Sequence, residues 1–308
     1  MLPTLRQLQY LKLLADHGSF SRAAEAAHVT QPTLSAGVQE LEKILGAPVV
    51  DRARAGFILT PVGEEAVRRA GDILAQTQDL VQAAKSAGQP LSGRFRLGVI
   101  PTVAPFLLPR ALPLLRERFP ELRLYLREDQ THRLIAALKS GALDAALVAL
   151  PYELAGLEFE PVFDDELLVA MPPNHALVGS SSVSPDQLRD QDLILLEDGH
   201  CLREHALSAC GLEPPKADTD GAFAATSLPT LVQMVGSGLG VSFLPAMAVE
   251  AGLAEAAHVA VRPLATEHPA RQVVVAWRAG SSRAAEGRLL AEVFRAPDLD
   301  QSISLRAR

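Results

Sequence analysis

SFSRAAEAAHVTQPTLSAGVQELEKILG, residues 19–46, decides how the N-terminal part of the chain folds. Ser19 or Ser21 is suited to cap a helix, and Ala23, Ala24, Ala26 and Ala27 are small enough for that helix to pack closely. His28-Val29 makes a short turn. Thr30 caps the next helix, which tolerates Pro32 in its first turn. Leu34, Val38, Leu41 and Leu45, at spacings of 4, 3 and 4, give that helix a buried stripe, and Gly46 ends it. Two short helices joined by a tight turn form a helix-turn-helix, whose second helix enters the DNA major groove. Gln31, Thr33, Ser35 and Gln39 lie near its exposed N-terminal side. Gln bonds bidentately to adenine, and Ser or Thr reaches either base type. The same residues also fit a three-helix interaction domain with a solvated polar face, and the pattern alone leaves both open.

Upstream, Leu5, Leu8, Leu11 and Leu14 recur every three residues as a first amphipathic helix, stopped by Gly18. Downstream, Val49-Val50 and Phe57-Ile58-Leu59 read as a small hairpin with Arg52, Arg54 and Gly56 at its tip. The two arginines suit phosphate or minor-groove contact. Thr60-Pro61, with Glu64 and Glu65 in the first turn, starts a helix that runs to about Lys85. Val67, Ala70, Leu74, Thr77, Val81 and Ala84 form an a/d seam on it, the pattern of a helix that packs against its twin. The plainer alternative is a helix lying on its own domain. Ser86 to Gly93, with Gly88 and Pro90, is a linker. The resulting divisions are residues 1–60, a winged helix-turn-helix, 61–88, a linker and dimerisation helix, and 89–308, an effector domain.

Residues 94–300 alternate strands and helices. Phe95, Leu97 and Val99 begin one strand and Leu122, Leu124 and Leu126 another. Ala145–Val148, Leu167–Ala170, Leu193–Leu196 and Val273–Val275 are apolar runs of buried-strand type. Pro109–Arg118 and Thr131–Ser140 read as helices. The expected fold is an α/β effector domain of two parallel-sheet subdomains with a cleft between them. Subdomain I spans about 92–165 and 269–300, and subdomain II about 166–268.

No apolar run reaches the ~18 residues of a membrane span, and the first twenty residues lack a basic segment followed by an apolar one. The chain is therefore expected in the cytoplasm, away from membranes. Its net charge of −7 is unfavourable for nucleic acid, and residues 1–60 carry six Lys/Arg against five Asp/Glu. So weakly charged a domain gains little non-specific DNA affinity per copy, so a DNA-binding reading implies an oligomer.

Cys201 and Cys210 are the only cysteines of 308 residues, too few for a disulfide scaffold. Asp198 can cap a helix that starts near Cys201, with His200 and Arg203 beside it. A helix N-terminus and neighbouring cations favour a thiolate, the form that attacks peroxide. Nine residues of continuous helix separate two Cα atoms by ~13.5 Å at ~1.5 Å per residue, whereas a disulfide needs them within roughly 7 Å. If the segment is helical when reduced, pairing has to unwind it, which gives a two-state element. The chain-entropy contribution of so small a loop is under ~3 kcal/mol, so the two states could lie close in energy. Two ordinary buried thiols are the bland reading. His200, Cys201, His205 and Cys210 are also possible zinc ligands, but their spacing matches no common zinc module, so no metal or other cofactor is expected.

Phe20-Ser21-Arg22-Ala23-Ala24, Val29-Thr30-Gln31-Pro32-Thr33-Leu34-Ser35, Leu41-Glu42, Arg52 and Leu59-Thr60-Pro61-Val62-Gly63 together resemble the LysR-type transcriptional regulators. The resemblance covers essentially the whole chain and departs at Val50, where that family usually has an aromatic residue. It implies a periplasmic-binding-protein-like effector domain, DNA contacts from Thr30, Gln31, Pro32, Thr33, Ser35, Gln39, Arg52 and Arg54, and a homotetramer on an operator. Further matches point to one group of that family. Glu197-Asp198-Gly199-His200-Cys201-Leu202-Arg203 with Cys210, Ala225-Thr226-Ser227-Leu228, Gly98-Val99-Ile100-Pro101-Thr102-Val103-Ala104-Pro105 and Gln130-Thr131-His132 look like the OxyR group of hydrogen-peroxide sensors. That likeness implies an activator in which Cys201 is the peroxidatic thiol. Its sulfenic acid condenses with Cys210, the resolving thiol. Thr102, Thr131, His200 and Arg271 would bind peroxide. Double-stranded DNA, RNA polymerase and a glutaredoxin or thioredoxin would be its partners. A regulator of a small metabolite held in the cleft is the alternative. A thiol peroxidase is a third reading, against which the N-terminal unit counts, so a switch rather than an enzyme is expected.

Overall fold

The computed structural model describes residues 1–51, 57–85, 90–211, 224–267 and 269–295. The chain divides into one unit of Met1–Ala87 with Lys139–Ala142 and a larger one of Gly88–Leu138 and Leu143–Arg308.

Four helices make the first unit: α1 (Leu5–His17), α2 (Phe20–Ala26), α3 (Gln31–Leu45) and α4 (Pro61–Lys85). Thr4 closes a capping box with Gln7, and Gly18 in the left-handed region ends α1. Ser19 occupies the cap position of α2 without a side-chain bond, whereas the Thr30 hydroxyl accepts from the Thr33 N–H at the start of α3. Leu34, Val38 and Leu41 are buried with Leu8, Leu11, Leu14, Ala23 and Ala24. Leu45, expected in that stripe, is 41% exposed. It is the last helical residue before the chain turns at Gly46.

Among the described residues, the hairpin is held by an antiparallel bridge between Val50 and Leu59. The Asp51 N–H donates to Ile58 O, and the Thr60 N–H to Val49 O. Glu42 accepts the Val49 N–H at 2.9 Å, so α3 itself positions the first strand. Thr60 caps α4 through the Gly63 N–H at 3.0 Å, and its hydroxyl donates to Pro48 O. A side chain at Gly63 would overlap the Val49 carbonyl. The seam on α4 is shared out differently from the expectation. Val67, Ala70 and Leu74 of the seam pack on this unit's own core, while its Val81 is exposed, as are Ile73 and Leu80 outside the seam. The first half of α4 thus follows the plainer alternative, because α1 covers it.

The larger unit begins with β1 (Gly93–Val99), α5 (Ala104–Arg118), β2 (Leu122–Glu128), α6 (Thr131–Lys139), β3 (Ala145–Leu150) and β4 (Leu157–Met171). It continues with α7 (Pro185–Leu188), β5 (Leu195–Leu196), α8 (Cys201–Cys210), β6 (Ala224–Ala225), α9 (Leu228–Gly236), β7 (Ser242–Pro245), α10 (Ala246–Glu250) and α11 (Leu253–Ala256). β8 (Ala260–Pro263), β9 (Ala270–Arg278) and α12 (Ala284–Phe294) complete it. α5 starts five residues before its expected start at Pro109. Burial of Ala104, Leu107, Ala111 and Leu115 along one face holds it together despite Pro109 and Pro113. The apolar run from Leu193 yields only a two-residue strand, with Leu193 in a separate bridge to Val241.

The main sheet runs β2-β1-β3-β9-β4-β7, with β8 also paired to β4. β1 is parallel to β2 and β3, and β5 to β6. β9 and β4 run antiparallel to their neighbours, so the sheet is mixed where parallel sheets were expected. The cause is β4, a single 15-residue strand. Its first part pairs with β9 and its last part with β7 and β8. Two separate cores result. One gathers Phe95, Leu97, Leu134, Leu147 and Trp277, the other Leu167, Val169, Leu202, Leu231 and Phe243.

Gly63→Ala should lower the melting temperature of the N-terminal unit, as overpacking typically costs ~1–3 kcal/mol. Gly71→Ala, whose Cβ would meet only Lys12 Cε at 4.0 Å, should raise it by improving helix propensity. Calorimetry of the two variants checks the contrast.

Candidate functional site

On α3, Gln31, Pro32, Thr33 and Gln39 are exposed, Ser35 is half-buried, and Gln31, Ser35 and Gln39 recur every four residues along one face. Thr30 is also exposed, and its hydroxyl lies 2.8 Å from that of Thr33, so cap and first turn are tied together. Polar side chains are thus presented on a helix whose opposite commitments, Leu34 and Val38, are fully buried. Arg52 and Arg54 lie outside the described residues.

The second site is built around α8. Cys201 is its first residue and Cys210 its last, both free thiols and both buried. Helical rise over nine residues sets them ~13.5 Å apart. Cys201 packs in the core formed by β1, β3 and β9, and Cys210 in the core of the other half. Burial pushes the Cys210 thiol up to about 11, so it is held as the neutral thiol. Asp198, expected to cap α8, does not. His200 stands at the cap position without a side-chain bond. Gly199, in the left-handed region at φ +92°, delays the helix by two residues. Asp198 instead pairs with Arg203 at 3.2 Å, and Arg203 also donates to Leu196 O.

Arg271 is buried and lies directly across the β4–β9 pair from Asp165. Its Nε and Nη2 donate to Asp165 Oδ2 at 3.0 and 2.8 Å, Nη1 to Thr102 Oγ1 at 2.7 Å, and Nη2 to Thr102 O at 3.1 Å. Asp165 Oδ1 accepts the Met247 N–H. Two expected site residues, Thr102 and Arg271, are therefore joined directly. Thr131, at the start of α6, is 1% exposed and its hydroxyl has no protein partner. Its neighbour Gln130 donates to Asp198 O at 3.3 Å, which connects α6 to the turn before α8. His200 is buried, and desolvation lowers its pKa against the pull of Glu197.

Sequence reasoning missed Asp165. Its signal was the alternation along β4, which places it on one face with buried Leu167 and Val169. It also saw His205 only as a possible metal ligand. His205 is 4% exposed, Nε2 lies 2.8 Å from Pro151 O, and Nδ1 is buried without a partner. Among the described residues, no cluster of three or more His, Cys, Asp or Glu is arranged to hold a metal ion.

Residues 5–64 match the model of the bacterial regulatory helix-turn-helix proteins of the lysR family, and residues 88–296 that of the LysR substrate binding domain. A probable hydrogen peroxide-inducible genes activator of Streptomyces viridosporus is 39% identical, over 95% of this chain and 94% of that protein. A full-length OxyR from Pseudomonas aeruginosa, solved with one cysteine replaced by aspartate, superposes with a TM-score of 0.73 at 37% identity, over 96% of this chain and 98% of that one. A hydrogen-peroxide-bound cysteine-to-serine mutant of Corynebacterium glutamicum OxyR gives a TM-score of 0.64 at 32% identity, over 99% and 95% of the two chains.

Burial lowers the His205 pKa from 6.5 to about 4, with the Pro151 carbonyl opposing and the Arg271 charge adding to the effect. The folded state thus favours the neutral ring. The stability this gives is complete above pH 6.5 and is lost as pH falls from 6.5 through 4. Relative to His205→Gln, the parent chain should lose up to roughly 3 kcal/mol across that window, at about 1.4 kcal/mol per pKa unit. Denaturant unfolding at stepped pH measures it. Thr131→Val removes an unpaired buried hydroxyl and should stabilise the fold by about 1–2 kcal/mol. A lower melting temperature would mean that the hydroxyl holds an ordered water.

Proposed function

The chain belongs to the LysR family of bacterial regulatory helix-turn-helix proteins, and from that premise we propose that it is a peroxide-sensing transcription activator switched by Cys201 and Cys210. The observation that carries the reading is α8, a continuous helix with a reduced thiol at each end, each thiol packed in a different core. Relatives named as peroxide-inducible activators and OxyR structures, matched over nearly the whole chain, support the choice of signal.

In this mechanism the Cys201 thiolate attacks one peroxide oxygen, the O–O bond breaks and hydroxide leaves, giving Cys201 sulfenic acid. Thr102, Thr131 and His200 line the reacting centre, with Arg271 as the fixed positive charge. Arg271 spends four of the five N–H donors of a guanidinium on Asp165 and Thr102, which leaves one on Nη1 for the departing oxygen. Cys210 then displaces the sulfenic oxygen to form the disulfide. Because the Cα atoms start ~13.5 Å apart, α8 has to unwind for the bond to close, and the structural change is the signal. Each chain is oxidised once and awaits a thiol reductant of the glutaredoxin or thioredoxin type, so the thiol acts as a switch and not in turnover.

Gln31, Thr33, Ser35 and Gln39, with Thr30 and Pro32 shaping the first turn, read an operator in double-stranded DNA, and the wing arginines hold phosphate. The exposed Ile73, Leu80 and Val81 of α4 favour assembly of copies, here a homotetramer that acts on RNA polymerase from the cytoplasm. Among the described residues no helix is long and apolar enough to cross a membrane.

Intact mass with thiol counting tests the reading. Stoichiometric peroxide should remove two thiols with a two-hydrogen mass loss, and Cys201→Ser should abolish this and the change in the DNA footprint without preventing DNA binding. Two thiols that stay free would instead indicate a regulator of a small metabolite.

A further inference from the structure

On the function proposed above, the Cys201 sulfenic acid forms while its partner thiol is still at the far end of α8. The intermediate has to outlast the unwinding of a buried helix. A sulfenic acid in such a place carries one O–H donor that needs an acceptor, since an unpaired buried polar group is costly. It is also open to a second peroxide, which would take it on to the irreversible sulfinic acid.

His205 lies one turn beyond Cys201 on the same face of α8, and both are buried. Side chains on a helix lean toward its N-terminus, so the His205 ring lies over the turn that starts with Cys201. One contact fixes the orientation of the ring. Its Nε2 bonds to Pro151 O, and the next residue, Tyr152, has its pKa raised by burial and then by the charges of Glu204 and Cys201. The positive charge of Arg271 adds to the lowering of the ring's pKa by burial.

The ring's protonation is fixed by its partner. A carbonyl only accepts, so Nε2 carries the hydrogen, and in the neutral ring Nδ1 is a bare acceptor. Burial keeps the ring neutral well below physiological pH. Nδ1 is buried and has no partner in the reduced protein.

We infer that His205 Nδ1 accepts the O–H of the Cys201 sulfenic acid and protects that intermediate until α8 opens. The balance is complete with hydrogen peroxide as the oxidant. The Cys201 sulfur is oxidised and the peroxide reduced. An S–O bond forms and the O–O bond breaks. The transferred oxygen keeps its hydrogen, which points to Nδ1, and the other oxygen leaves as hydroxide and takes a proton to become water. When α8 unwinds, the bond to Nδ1 is lost with it. Cys210 then attacks the Cys201 sulfur. The S–S bond forms, the S–O bond breaks, and hydroxide leaves with the Cys210 proton as water.

The test uses the full chain carrying Cys210→Ser, which stops at the sulfenic stage. One equivalent of hydrogen peroxide is added, and dimedone is added after increasing delays. Intact mass then reports the trappable fraction and the sulfinic product. Gln presents its amide where Nε2 lies and Asn where Nδ1 lies. His205→Gln keeps the donor to Pro151 O and loses the acceptor. It should shorten the sulfenic half-life by roughly tenfold, the scale of one net hydrogen bond. His205→Asn keeps the acceptor and should retain most of the half-life even at a lower melting temperature. A merely structural histidine gives the reverse order, and a Gln variant that matches the parent half-life overturns the inference. If the Cys210→Ser chain with His205 intact never forms a dimedone adduct, the peroxide-sensing reading itself fails.

Discussion

The reach of a helix is the constraint on which the rest depends. At ~1.5 Å per residue, α8 holds its two terminal thiols ~13.5 Å apart, and each end is fixed in its own hydrophobic core. Cys201 belongs to the core that also holds Val99, Ile100 and Val273, while Cys210 belongs to the core that also holds Leu202, Leu207 and Leu231. A disulfide between them is incompatible with this packing and cannot be reached by side-chain rotation. Any bond between these thiols therefore exchanges one arrangement of the larger unit for another, and two discrete packings are what turn a local covalent event into a change a distant surface can register.

The antiparallel pairing of β4 and β9 makes the other half of the site rigid. It sets Asp165 opposite Arg271 in the interior, both side chains at or below 1% exposed. Desolvating both charges is expensive, and a buried pair holds only where further hydrogen bonds satisfy what remains. Here Thr102 Oγ1, Thr102 O and the Met247 N–H do so. The guanidinium is thereby held in place by Asp165 and Thr102. In the proposed mechanism a charge held this way stabilises the departing oxygen without rearrangement at the moment of reaction. The same pair also locks β9 to β4, the strand that runs through both cores.

Much of this was legible in the sequence where local chemistry decides the outcome. Thr30, Pro32, Gly18 and Gly46 fixed the limits of the helix-turn-helix, because caps and left-handed glycines act within one turn. Cys201 and Cys210 could be placed on one helix from the residues between them. What failed needed partners far along the chain. The acidic residues of 158–166 hid the first ten residues of β4, since a strand half exposed at Glu158 and Phe159 gives no apolar run. With β4 shortened, the mixed sheet and the Asp165–Arg271 pair were out of reach. Asp198 looked like a cap, and only the left-handed turn at Gly199 shows why it pairs with Arg203 instead.

That missing cap bears on how readily α8 can open. α1, α3 and α9 each begin with a side-chain hydrogen bond to the first turn, from Thr4, Thr30 and Ser227, whereas α8 begins at His200 with none. A side-chain cap is worth about 1 kcal/mol, so its absence lowers the barrier at the end where Cys201 lies. Two unpaired buried polar atoms near that end, Thr131 Oγ1 and His205 Nδ1, weaken the reduced packing further. Against these stand the buried Leu202, Ala206 and Leu207 of α8. These deficits, about 1 kcal/mol for the cap and ~1–3 kcal/mol for each unpaired buried group, compare with the under ~3 kcal/mol that a disulfide closing so short a loop contributes through chain entropy. The uncapped start of α8 and these unpaired atoms lie toward the end of the helix that carries Cys201, the residue that reacts first in the proposed mechanism.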